Sequence, residues 1–179
     1  QIYSFDQGNT GGGVSLALDN NNNPAIAYIT KDGLKYLHFD GKNWEEPIII
    51  DTWSTDIDGR LMIGTNPVLK FDKENKPSVV YSFIITQSTP PLRQNVIKYA
   101  HLENKDWKTE VIPNSYYGGI SFTIDYKTNY PAIVASSLHG STKSLLSFFF
   151  FDGKNWENPD ISLLFEDSIG GGDNSLVFD

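Results

Sequence analysis

The sequence predicts an all-β chain of four-stranded antiparallel propeller blades, and three observations lead there. A strand-like unit recurs as Ser15-Leu16-Ala17-Leu18-Asp19, Val68-Leu69-Lys70-Phe71-Asp72 and Ser121-Phe122-Thr123-Ile124-Asp125, about 53 residues apart. Helical periodicity is missing, while 15 glycines and 9 prolines interrupt the chain every few residues. Each repeat also divides into four short apolar runs bounded by turn residues, the arrangement of propeller blades.

Three full blades are predicted, over residues 14–51, 67–112 and 120–165, with one extra strand at each end of the chain. Within the first blade, strands A to D are expected at 14–19, 24–30, 34–40 and 46–51. The second has them at 67–72, 77–85, 95–102 and 107–112, and the third at 120–125, 131–137, 144–152 and 159–165. Strands B and C carry apolar residues at consecutive positions, as a sheet covered on both faces requires. The A–B turns pair Asp19, Asp72 and Asp125 with Asn22, Asn75 and Asn129, ahead of a strand-opening proline. Asp accepts hydrogen bonds from turn amides, Asn tolerates positive φ, and Pro begins a strand without its N–H. A cation site in Asp19-Asn20-Asn21-Asn22-Asn23 is the sharper reading, but Lys73, Lys76 and Lys127 stand in the matching loops. Plain turn chemistry, with no metal and no cofactor, is the expectation.

The two ends match one another. Residues 1–19 align without a gap on 161–179, pairing Phe5 with Phe165 and Ser15-Leu16 with Ser175-Leu176. Propellers close with about 4–8 blades, so three leave two apolar blade faces uncovered. The expectation is a ring completed by oligomerisation, with a homodimer favoured, or by sequence beyond this stretch. The glycine runs at 11–13 and 170–172 match at one repeat position, with no helix and no Lys-Ser/Thr after them. They read as close backbone approach near the axis, not as a phosphate loop.

Composition excludes several functions. Formal net charge is −8 and the only arginines are Arg60 and Arg93, so a phosphate-backbone ligand is not expected. Without cysteine there are no disulfides, thiolate metal sites or cysteine nucleophile. The longest apolar run, 145–151, is far below the roughly 20 residues of a membrane helix. His38 and His101 occupy equivalent strand positions, but Phe150 fills the third, which favours packing over a metal pair.

Asp40-Gly41-Lys42-Asn43-Trp44 recurs as Asp152-Gly153-Lys154-Asn155-Trp156 and, degenerate, as Glu103-Asn104-Lys105-Asp106-Trp107. Asp-Gly sets a tight C–D hairpin, and the Trp is expected to cover the blade edge with its indole N–H satisfied locally. These residues resemble the Asp-box propellers of the sialidase-like superfamily, and bacterial or archaeal surface propellers with "LALDxNxxPxIAY" blades. That resemblance covers nearly the whole chain and implies an extracellular or cell-surface protein whose Trp hairpins are structural. Phe39-Asp40-Gly41-Lys42-Asn43-Trp44 is also similar to the hairpins of small fucose-binding lectins. Their repeated Arg and Glu sugar ligands have no counterpart here.

Strand parity puts the A–B and C–D turns at one end of the blades and the irregular B–C and D–A connections at the other. Function is expected at the irregular end. Its candidate ligand-binding residues are Trp53, Asp56, Asp58, Arg60, Arg93, Tyr116, Tyr117 and His139, aromatic faces beside carboxylates and guanidinium groups. The expected role is a non-catalytic binding or scaffold module for a glycan or a protein surface. The alternative is a sialidase-like glycoside hydrolase at the ring axis. Such an enzyme needs three arginines on the substrate carboxylate, and one chain carries two.

Overall fold

The computed structural model describes residues 13–53, 64–88, 91–113, 119–139, 143–159 and 163–166. They form three four-stranded antiparallel sheets, each in sequential order. The first holds β1 (Val14–Leu18), β2 (Pro24–Ile29), β3 (Gly33–His38) and β4 (Ile48–Thr52). β5 (Gly64–Phe71), β6 (Pro77–Ser88), β7 (Pro91–Glu103) and β8 (Asp106–Val111) form the second. The third has β9 (Gly119–Ile124), β10 (Pro131–His139), β11 (Lys143–Phe151) and β12 (Trp156–Glu157), while β13 (Leu163–Glu166) also pairs with β11. The predicted blades are therefore present, and their sheets are not closed into a barrel.

The B–C connections depart from expectation. The stretch 87–94 reads as a loop, yet β6 and β7 stay in register through Thr86↔Arg93 to Ser88↔Pro91. Pro91 opens a strand, where its missing N–H costs no ladder bond. In the third blade, pairing likewise runs to His139↔Lys143, shortening the expected 138–143 loop. The last strand, expected at 159–165, is split into β12 and β13.

Adjacent residues of one strand serve different cores. Val79 and Tyr81 face the first blade, meeting Ala25, Ala27 and Leu34, while Val80 faces the third, meeting Phe122, Ile133 and Phe149. This two-sided burial explains the continuous apolar runs. Gly13 sits at the first blade's entry with φ of 129°, and a Cβ there would lie 2.9 Å from Cδ of Pro67. That is the close approach the glycine run implied, for its one described member. The outward face of β1 is bare: Val14, Leu16 and Leu18 are 70%, 64% and 55% exposed. Leu69, at the position equivalent to Leu16, is 1% exposed beneath the first blade.

The A–B turns bind to one another as well as to themselves. Asp19 Oδ1 accepts the amides of Asn21 and Asn23, each at 2.8 Å, and Asp72 Oδ1 accepts those of Glu74 and Lys76, each at 2.8 Å. Asn22, Asn75 and Asn129 take φ of 62°, 65° and 65°. In the second and third blades the Asn side chain reaches the turn of the preceding blade. Asn75 Oδ1 accepts the amide of Asn20 at 2.7 Å, and Asn129 Oδ1 accepts that of Lys73 at 3.0 Å.

Two of the C–D tryptophans, Trp107 and Trp156, reach between blades, whereas Trp44 packs on Phe39 of its own blade, ring centroids 5.5 Å apart. Trp107 rests on Tyr36 of the first blade and Trp156 on Tyr99 of the second, both with ring centroids 5.3 Å apart. The indole N–H groups of Trp107 and Trp156 are not satisfied locally. Trp156 Nε1 donates 3.1 Å across the junction to Glu110, and Trp107 Nε1 is buried with no partner among the described residues. The cause is one register position. Tyr99 pairs with Glu110 whereas Tyr36 pairs with Ile48, which offers no acceptor.

Candidate functional site

The described residues enclose a polar cleft of about 410 Å³ where the second and third blades meet, at the A–B and C–D turn end. The β5–β6 turn contributes Asp72, Glu74 and Lys76; the β7–β8 hairpin contributes Glu103 and Asn104; Asn129 comes from the third blade. Tyr99, Ile124 and Pro131 supply apolar surface, and His101 lies beside them.

Each polar group has a physical reason for its position. Asp72 is anchored by the turn amides through Oδ1 and by Asn129 Nδ2 at 3.3 Å through Oδ2. Lys76 Nζ donates to Glu74 Oε2 at 2.8 Å, a bond that lowers the Glu74 pKa and raises that of Lys76, so both stay charged. Positive φ at Asn104 (49°) and Lys105 (75°) makes a two-residue hairpin that projects Glu103 and Asn104. Burial, with the charges of Glu110 and Asp72, pushes the Tyr99 phenol up to about 12 against a hydrogen bond from Ser78, so it is neutral at ordinary pH.

His101 stacks on Tyr99, ring centroids 5.2 Å apart, and its buried Nδ1 has no partner among the described residues. His38, its equivalent in the first blade, has both nitrogens engaged, Nε2 with Asp19 and Nδ1 with Glu45, each at 3.2 Å. The position paired with the histidine accounts for the difference: it holds Glu45 in the first blade and Lys108 in the second. A carboxylate that clamps one ring is thus replaced by a lysine beside the other. Carboxylate acceptors and ammonium and amide donors converge on an apolar floor here. Such an arrangement can hydrogen-bond several hydroxyl groups while a nonpolar ligand face packs below.

The residues proposed from sequence fall differently. Trp53 follows β4, donates its indole N–H to the Thr30 carbonyl at 2.8 Å, and packs on Tyr81 and Phe83 at 6.3 and 5.7 Å. Gly64 makes room for it, since a Cβ there would come within 2.6 Å of the indole. The ring is therefore engaged with the core. Arg93 stands in β7 opposite Thr86, and His139 ends β10 opposite Lys143, with both side chains outside the described residues. Asp56, Asp58, Arg60, Tyr116 and Tyr117 also lie outside the described residues. By strand direction, Trp53 and the far ends of the two long hairpins share the end of the blades opposite the cleft.

Beneath Trp53 is a junction network that sequence reasoning missed. Asp51 Oδ2 accepts from Tyr81 Oη at 2.6 Å and from Lys98 Nζ at 2.7 Å, and Lys98 lies 4.0 Å over the Phe83 ring. Burial first, then the bond and charge of Asp51, raise the Tyr81 pKa and keep the phenol protonated. The cleft itself was read as ordinary turns. Its signal in the sequence is where the second repeat breaks pattern, with Glu103-Asn104-Lys105-Asp106 replacing the Asp-Gly hairpin and Lys108 replacing a Glu.

No family model matches the chain, and no curated protein matches it. Similarity to solved structures is in fold. An ulvan lyase of polysaccharide lyase family PL25, bound to -[GlcA(1-4)Rha3S]-, superposes with a TM-score of 0.57 at 10% identity over 81% of this chain. The same lyase in a second structure gives 0.55 at 10% identity. In both cases this chain spans 42% of the length of the lyase. A fucose lectin from Kordia zhangzhouensis in complex with methyl-fucoside gives 0.49, at 10% identity over 84% of this chain and 100% of the lectin.

Proposed function

We propose that this chain is a non-catalytic carbohydrate-binding propeller module, and that the cleft between its second and third blades holds a neutral, hydroxyl-rich saccharide. The observation that carries this reading is the convergence of Asp72, Glu103, Asn104 and the Lys76–Glu74 pair on the surface formed by Tyr99, Ile124 and Pro131. Carboxylates suit hydroxyl donors, and with a net charge of −8 a neutral glycan meets less repulsion than an anionic one. The lyase of like fold, which acts on a polysaccharide, sets the ligand class to try first.

Calorimetric titration with neutral monosaccharides and short oligosaccharides tests the proposal. Glu103→Ala and Lys76→Ala should each weaken binding about tenfold, the loss of one charge-assisted hydrogen bond, with thermal stability unchanged. If neither sugars nor these substitutions change the heat, the proposal fails. The opposite end is proposed as a second contact surface, for a glycan or a protein, because β6 and β7 span 12 and 13 residues where β2 and β3 span 6 each. Arg93→Ala in the same titration separates the two ends.

A further inference from the structure

The first and second blades set a carboxylate and a histidine at equivalent positions and connect them differently. In the first, Asp19 Oδ2 holds His38 Nε2 at 3.2 Å, and Glu45 holds the other ring nitrogen. Across that junction Asn75 meets the first blade, among the described residues, through Oδ1 alone, as acceptor of the Asn20 amide. In the second blade Asp72 Oδ2 is held instead by Asn129 Nδ2 of the third blade, at 3.3 Å, while Asn129 Oδ1 takes the Lys73 amide. His101 is left over, its Nδ1 buried with no partner among the described residues. In these two junctions the carboxylate serves its own blade's histidine or the next blade's asparagine, and not both.

The arrangement of the first blade is within reach of the second. His101 stacks on Tyr99 at 5.2 Å as His38 stacks on Tyr36 at 6.2 Å, and turn amides fix Asp72 as they fix Asp19. The groups around His101 decide when it forms. The β5–β6 turn presents Asp72, Glu74 and Lys76, and its own strand presents Tyr99 and Glu103. β6 sets Ser78 opposite, and Ser78 pairs in turn with Lys70 of β5. β8 sets Lys108 opposite, two residues from Glu110. The third blade adds Ile124, Asn129 and Pro131, none of them charged. Glu74 is engaged by Lys76 at 2.8 Å, and Lys108 stands where the first blade has Glu45. Asp72 is thus the carboxylate whose counterpart already binds a histidine.

We propose that protonation of His101 transfers Asp72 from Asn129 to the imidazolium, so that the cleft holds its saccharide near neutral pH and releases it in acid. This inference rests on the saccharide reading of the cleft. With His101 neutral, Asp72 Oδ2 is open to a ligand hydroxyl beside the Asn129 donor. With His101 charged, the ring takes that oxygen, and the tie between Asp72 and the third-blade wall is lost.

Nuclear magnetic resonance of the full chain tests the switch without a ligand, between about pH 8 and pH 5, where imidazole side chains change charge. The Asn129 side-chain amide should change with the same midpoint as the His101 ring, and that of Asn75 should not follow it. His101→Phe keeps a ring on the strand, as Phe150 stacks on Phe148 at 5.7 Å in the third blade, and should abolish the Asn129 change. Lys108→Glu restores the first blade's carboxylate beside the ring and should carry the change to higher pH. Calorimetry with neutral oligosaccharides reads the consequence. Affinity should fall about tenfold from the upper to the lower pH, the loss of one charge-assisted hydrogen bond, and His101→Phe should remove that dependence. An Asn129 amide that ignores the His101 titration would overturn the switch whether or not sugars bind, and so would equal affinity at both pH values. A responsive amide with no sugar bound at either pH would instead strike the saccharide reading and keep the switch.

Discussion

Single residues hold the turns, and Asp19 shows how. Its side chain is 1% exposed and bonded to Asn21, Asn23 and His38. Burial pushes its pKa up, but the amides of Asn23 and Asn21, then the Asn23 and His38 side chains, outweigh it and bring the value down to about 2. The folded chain therefore binds this proton less readily than the unfolded one, whose carboxyl titrates near 3.9. The stabilisation is complete above about pH 4 and is lost as pH falls toward about 2. Asp19→Asn should flatten that part of the stability-against-pH curve in urea titrations. It should not abolish the slope, because turn amides lower Asp40 and Asp152, and the Thr128 hydroxyl, followed by the Lys127 amide, lowers Asp125. Such turn chemistry was legible, since it needs only local sequence: Asp, a positive-φ Asn, then Pro. The engagement of His38 between Asp19 and Glu45 was not legible, because it depends on which residue a strand pairing sets opposite.

At the scale of elements, the strands were readable from their apolar alternation and the turns between them. The long hairpins were not, because Thr89-Pro90-Pro91 carries the signature of a loop while the pairing around it continues. The role of the tryptophan hairpins was half readable. Their structural character follows from the repeat, but their reach into the neighbouring blade needs three dimensions. Trp107 offers the clearest check. Its N–H is buried without an acceptor because Ile48 stands where the next blade has Glu110. Ile48 is 47% exposed, so replacing it forfeits little packing. Ile48→Glu should raise stability by about 1 kcal/mol, the net worth of one hydrogen bond, measured by denaturant unfolding. In a Trp107→Phe background, which has no indole N–H, the same change should bring no gain.

Over the whole molecule, both cores are built across sheets, so no blade owns the surface that buries it. The first joins Leu34 and Tyr36 to Val79 and Tyr81; the second joins Val80 and Ile97 to Ile133 and Phe149. Leu34→Ala should cost about 2–5 kcal/mol and shift one common unfolding midpoint. Fluorescence of Trp156 alone, with the other indoles replaced by Phe, should report the same shift from two blades away. Separate midpoints would show blades that melt independently. At this scale the sequence announced the blade number and the uncovered faces. It withheld the cleft, whose walls come from three turns in two repeats and follow from no single motif.

The indole on one side of each blade and the aromatic pair on the other give the repeat a polarity, like a brick with a tongue and a groove. Any repeat can then follow any other without a dedicated adaptor. Unequal recombination within the gene could lengthen or shorten the array by whole units and leave every remaining joint serviceable. Individual turns would meanwhile be free to diverge in sequence, as the second repeat's hairpin has done.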